Sequence, residues 1–372
     1  MACYSRYQLV RLFLVQLWAA AAAAQQAPAT FQHPSLVDTR QRLDAMAAQL
    51  RAHNPARLAA YQPVQEFLRK HPAPTSFPAV VYAVAGGGSP TEDQIRRDAE
   101  LAYAYALSWA ATGDKQAAGQ ARSILNGYAS QFQRYDTAPQ PNGSPTLFRQ
   151  TYLEAAWVVP TFVAAAEILR YYSGKGHPAA QWPAAEVARF SAFLRNLQTT
   201  YIDPLPTGTT WVNNWQASCA YAQMALGVWF DDPAQYTAGY RYAQQVLPQV
   251  FYPNGNVKEL CDRDCHHPQY TLTALTNAAE IALVQGDKSL YELNNQQLRL
   301  GWEKLADAID HTPGSCTDCS QHPAVWPGIE TANRYYGTPR LATLRARAAP
   351  QGVPGDHTFL GFTTLTQYNL GQ

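Results

Sequence analysis

The apolar pattern of this chain is interrupted at a regular interval, and that interval narrows its fold more than any other feature. Breaks fall at Gly113-Asp114, at Ser173-Gly174-Lys175-Gly176, at Asp231-Asp232-Pro233, at Gly286-Asp287 and at Gly337. Each separates two segments of helical period: 91–112 and on to 132, 150–172 and 180–200, 215–230 and on to 250, 268–284 and on to 309, 326–336 and 341–348. The unit is a helical hairpin recurring at roughly 50 to 60 residues. Repeated hairpins either stack into an open solenoid or curl into a toroid. First helices such as 155–169 and 272–284 are apolar nearly all round, as an inner ring must be. Long polar loops precede them, as around a cleft. The expected fold is therefore all-α: an (α/α) toroid, or incomplete α/α barrel, of about five to six hairpins.

Outside the hairpins, short helices are expected over 43–50 and 55–68, with short strands near 80–84 and in the C-terminal tail. Thr91 with Gln94 reads as a capping box. Gly86-Gly87-Gly88 lacks the strand–GxGxxG–helix setting of a nucleotide loop and reads as a turn.

Formal net charge is +1, so no broad basic field awaits nucleic acid or an anionic membrane, and an acidic ligand needs a local cluster. Arg6 and Arg11 precede an apolar run over 12–24 that ends in small residues. This reads as a secretory signal peptide over 1–24, too short for a comfortable membrane span. No later apolar run reads as long enough to cross a bilayer. The mature chain, 25–372, is expected to be one secreted domain and a monomer. Without Cys3, five cysteines remain: Cys219, Cys261, Cys265, Cys316 and Cys319. In an oxidising compartment loop disulfides are expected rather than zinc, with at least one cysteine free or paired between chains and the connectivity open. No cofactor or metal is expected.

The starts of the first helices carry the chemistry. Arg149-Gln150-Thr151-Tyr152, Trp211-Val212-Asn213-Asn214-Trp215, His266-His267-Pro268-Gln269-Tyr270 and Trp326 with Glu330 recur at the hairpin interval. In a toroid, equivalent helix ends share one face, so these groups should converge. Each also has a structural explanation: Asn213 or Asn214 can cap a helix, Pro268 suits a first turn with His267 before it, and Arg263 can pair with a neighbouring carboxylate. Together they supply an amide, a guanidinium, two imidazoles and a phenol. That set can offset a carboxylate and move a proton beside it. A uronate polymer breaks by β-elimination when the proton on C5 is removed and the C4–O bond opens. Asn213 or Asn214 with Arg263 would hold the carboxylate, helped by helix N-termini. Tyr270, its pKa lowered by Arg263, could take and return the proton, and His266 or His267 is the alternative base.

Asn213-Asn214, Glu259-Leu260 and Arg263 followed by Tyr270 resemble the alginate lyase family of α/α-toroid polysaccharide lyases. The resemblance spans most of the mature chain, from Phe31-Gln32-His33-Pro34 through Gln150-Thr151-Tyr152-Leu153-Glu154 to Trp326-Pro327-Gly328-Ile329-Glu330. It implies that the Asn neutralises the substrate carboxylate, Arg263 supports it, and Tyr270 protonates the leaving oxygen and also acts as base. Family members with the best-known mechanism carry His after the Asn pair, where this chain has Trp215. The expected partner is an acidic polysaccharide, poly-mannuronate before a glucuronan-like polymer. Gln150, Tyr152, Trp211, Trp215, Trp326 and Glu330 are expected to bind it. Two other readings compete: a toroid glycoside hydrolase, which needs two facing carboxylates from Glu154, Glu259, Asp264 and Glu330, and a non-catalytic carbohydrate-binding protein.

Overall fold

The computed structural model describes residues 27–174 and 179–370. The signal-peptide reading, over 1–24, and Lys175 and Gly176 of the second break lie outside the described residues.

Five hairpins follow one another as the interval requires. They are α3 (Pro90–Thr112) with α4 (Lys115–Gln131), α5 (Gln150–Tyr171) with α6 (Ala184–Leu197), α8 (Asn214–Trp229) with α9 (Pro233–Gln249), α11 (His267–Val284) with α12 (Ser289–Ile309), and α13 (Gly328–Tyr336) with α14 (Pro339–Ala346). The earlier pair α1 (Arg40–Arg51) and α2 (Pro55–Lys70) makes a sixth. Among the described residues there are also short helices α7 (Leu205–Gly208), α10 (Lys258–Asp262) and α15 (Thr363–Gln367) and a π-helical turn over Gln198–Ile202.

The breaks are local chemistry. Gly113 ends α3 in the left-handed region at φ 76°, and the Asp114 side chain then caps α4. Asp232 accepts two backbone N–H groups at the start of α9, and Gly337 ends α13 at φ 62°. At α3 the cap is Ser89, not Thr91, whose hydroxyl instead accepts the N–H of Tyr82.

The first helix of each hairpin lies inside. α3 packs on α5, α5 on α8, α8 on α11 and α11 on α13, and the ring closes through α15 and α1 back to α3. On α5 every residue from Gln150 to Leu169 except Tyr152 is buried, and on α8 all but Trp215. An all-round apolar helix is stable only with protein on every side. By length and composition α5 is also apolar enough to cross a bilayer, which the sequence reading had excluded, but here it is an inner stave of the toroid. The expected strand near 80–84 is β1 (Val80–Ala83), which pairs in parallel with β2 (Arg134–Thr137). The C-terminal tail is not a strand. Its hydroxyls bond inward, Thr363 to the carbonyl of Pro327 at 2.8 Å and Thr364 to Glu330, and the segment turns into α15.

Candidate active site

The N-terminal turns of α5, α8 and α11 open on one cleft of about 630 Å³. Gln150, Asn214, Trp215, Arg263, His266, His267 and Tyr270 all line it, so residues up to 120 positions apart converge as the period requires.

Tyr270 sits at the back of the cleft. Its ring stacks on Trp157, centroids 4.9 Å apart, and takes the edge of Trp326 at 4.3 Å. Its hydroxyl donates to the Asp356 carboxylate and lies 3.0 Å from His266 Nε2. Burial, then the Asp356 charge, push its pKa far above the ordinary phenol value. The lowered phenol expected from Arg263 is therefore corrected: the Tyr270 pKa is raised, and its hydroxyl keeps its proton toward Asp356. Arg263 faces elsewhere, 3.7 Å from both Glu259 and Asp264, and is half exposed to the cleft.

Asn214 is set by Glu259. The buried carboxylate accepts the Asn214 backbone N–H at 3.1 Å and its amide at 2.7 Å, and also the Thr271 hydroxyl at 2.5 Å. Burial still raises the Glu259 pKa, the hydrogen bonds and Arg263 opposing it. One amide N–H of Asn214 is spent on Glu259, and the second can meet a ligand in the cleft. Asn213 has the other role weighed for it. Its side chain accepts the N–H of Trp215 at 3.0 Å and forms a capping box with Gln216, so it caps α8 and is absent from the cleft wall. Asp264 accepts the N–H groups of His266 and His267 at 2.8 and 2.7 Å, capping α11. Its other oxygen lies 2.6 Å from His267 Nδ1. Burial and then Arg263 lower the His267 pKa despite that carboxylate.

Other expected binding residues stand back from the cleft. Trp211 lies edge-on to Trp215 at 5.8 Å with the Arg149 guanidinium 4.4 Å over its ring, and Tyr152 packs beside Phe148 at the rim. Trp326 is buried behind Tyr270 and His266, as their wall. Glu330 is sealed inside, bonded to Arg345 at 2.6 Å and to Thr364, because the first turn of α13 faces α14 and α15. Both are corrections to the expected substrate contacts. The carboxylates weighed for a hydrolase are committed too: Glu154 pairs with Arg96 at 2.5 Å, Glu259 with Asn214, Asp264 with His267 and Glu330 with Arg345.

Arg96, Trp157 and Asp356 escaped the sequence reading. Arg96 looks like surface charge on α3, Trp157 like core, and Asp356 lies in a loop of no periodicity; only the fold aims them at Tyr270. The cysteines pair as Cys261–Cys316 and Cys265–Cys319, with Cys219 free and buried. The two bridges bracket Arg263 and tie its loop to the 316–319 segment.

A family description, "Alginate lyase", matches residues 40–315, more than half of the chain. The chain belongs to the alginate lyase family. As an alginate lyase family member it is a carbon–oxygen lyase acting on polysaccharides. Solved structures share its toroid. Alginate lyase A1-III from Sphingomonas species A1 aligns with a TM-score of 0.64 at 16% identity, covering 90% of this chain and 97% of that one. A tetrasaccharide complex of alginate lyase A1-III aligns at 0.66 and 16% identity, covering 93% and 99%. An alginate lyase from Bacteroides ovatus aligns at 0.67 and 10% identity, covering 91% and 100%. No curated protein sequence matches the chain.

Proposed function

We propose that this enzyme cleaves a polyuronate, poly-mannuronate first and a glucuronan second, by syn β-elimination in the cleft of α5, α8 and α11. One observation carries the reading: a carboxylate-binding pair, Asn214 and Arg263, and a proton-handling pair, Tyr270 and His266, line the same cleft. The amide and guanidinium offset the uronate charge, which makes the C5 proton acidic. The imidazole of His266 takes that proton. The C5–H electrons form the C4=C5 double bond, the C4–O4 bond breaks, and O4 takes the proton of Tyr270. The imidazolium then returns its proton to the tyrosinate across the 3.0 Å contact, restoring both groups.

Assigning the base to His266 revises the sequence reading, in which Tyr270 served as acid and base; a phenol held protonated is suited only to the first role. Acid and base stand side by side, which suits residues whose C5–H and C4–O bonds share a face, as in mannuronate and glucuronate. Trp215, where a family His was expected, is open to stack on a sugar ring. The enzyme is further read as an exported single-domain monomer, its signal peptide over 1–24 and its catalytic domain over 25–372.

The test is the enol-ether ultraviolet band of unsaturated products during incubation with poly-mannuronate, poly-guluronate and glucuronan. Absorbance should rise on the first and third and little on the second. No rise on any uronate polymer would end the reading.

A further inference from the structure

We propose that Asp356 is a positioning residue for the elimination: its carboxylate anchors the Tyr270 hydroxyl in place beside His266. This rests on the roles given above to Tyr270 and His266.

Asp356 arrives from a part of the chain with no share in the hairpin pattern. It lies 86 residues beyond Tyr270 and outside the segment matched by the family description, 40–315. The loop that carries it is pinned at several points. Gln351 donates its N–H to Thr364 at 2.8 Å and its amide to the carbonyl of Val325 at 3.2 Å, and Gly361 N–H reaches Glu100 at 3.3 Å. Within the loop, the Thr358 hydroxyl holds Asp356 Oδ1 at 2.9 Å. The remaining oxygen, Oδ2, accepts from Tyr270 and lies 3.6 Å from His266 Nε2. One fixed oxygen therefore faces both proton-handling groups.

A negative charge there disfavours the tyrosinate. After each cleavage it therefore drives a proton back onto Tyr270. The other charges around the trio are few or internally paired. From α3 comes Asp93 on the cleft wall, and from α3 and α5 come Arg96 with Glu92 and Glu154, an ion-paired triad in which burial and Glu154 push Glu92 upward. Glu100 on α3 is fully buried and its pKa is raised well above the ordinary value by burial. The α10–α11 connection adds Arg263, Asp264 and His267, and the loop itself adds His357, whose pKa burial lowers to about 4. Asp356 thus remains the anion in direct contact with Tyr270. Burial opposes its charge, but the contacts with His266 and Tyr270, with Arg96 nearby, outweigh burial and hold the carboxyl below its ordinary value.

The test compares Asp356→Asn and Asp356→Glu with wild type on whichever uronate polymer is turned over, as kcat and KM across pH. For Asp356→Asn, kcat should fall on the order of a hundredfold with KM little changed. The alkaline limb of the pH profile, where Tyr270 loses its proton, should move to lower pH by roughly one unit for a charge at this distance. Asp356→Glu keeps the charge but displaces it, so its kcat should fall while its alkaline limb stays near the wild-type position. Wild-type kcat and alkaline limb in the Asn variant, or an equal acid shift in the Glu variant, would overturn the proposal. If Tyr270→Phe keeps turnover, the proton-transfer reading itself fails and this proposal falls with it. A dead Tyr270→Phe beside an unmoved Asp356→Asn profile would sink the role of Asp356 alone.

Discussion

Tyr270 and Trp157 lie face to face, their ring centroids 4.9 Å apart and their planes 16° from parallel. One comes from the first turn of α11 and the other from the middle of α5, so the stack locks the phenol across two staves of the ring. Because the ring is held by packing, removing only its hydroxyl should leave the fold intact. Tyr270→Phe is expected to melt near wild type and to lose turnover by about 10²–10⁴-fold. Thermal unfolding and the ultraviolet product assay, run on the same preparation, check both halves.

The adjacent asparagines should separate cleanly. Asn213→Ala removes a helix cap and is expected to cost about 1 kcal/mol of stability with kcat/KM near wild type. Asn214→Ala removes the amide that Glu259 orients toward the cleft, and kcat should drop about a hundredfold. Equal losses of activity in both variants would show that the capping assignment misses a role for Asn213.

Reduction should strike stability and the site together. The bridges close loops of 55 and 54 residues in sequence separation, and a loop of that length is worth about 4 kcal/mol in the chain-entropy account. Cys261 and Cys265 flank Arg263, so a reductant should lower Tm and raise KM for a uronate polymer as the guanidinium loses its fixed place. A calorimetric scan with and without reductant, paired with kinetics below the reduced Tm, measures both.

The N-terminal segment supplies a pH test far from the cleft. Burial disfavours the charge on His33, but Glu167 at 2.8 Å and Asp231 at 3.1 Å outweigh it and raise its pKa. Burial also raises the pKa of Glu167. Both groups hold protons more tightly folded than unfolded. Their stability contribution is therefore complete below the unfolded values and is lost as pH rises through the folded ones. Tm should decline from mildly acidic to mildly alkaline pH, and His33→Gln should flatten that slope above pH 6.5.

Legibility differed by the range over which each feature is encoded. Gly113-Asp114 and Asp232 announce helix ends because their effect is confined to the next turn. Thr91 misled because Ser89, two residues earlier, offers the same cap chemistry and only the path of β1 decides between them. Glu330 looked like a rim residue because its place in the repeat matches the others, yet α13 starts beneath α14 and α15 and buries it. Asp356 left no sequence signal at all.

Residue order alone determined the hairpin interval, the inner and outer helices, and which helix starts would share a face. These follow from 3.6-residue periodicity and from caps, which act locally and repeat. The tertiary structure decided which of those polar groups point into the cleft, which asparagine caps, how the cysteines pair, and whether Tyr270 rests as phenol or phenolate. Those outcomes turn on a few ångströms between segments distant in the chain, and on burial that no single segment creates by itself.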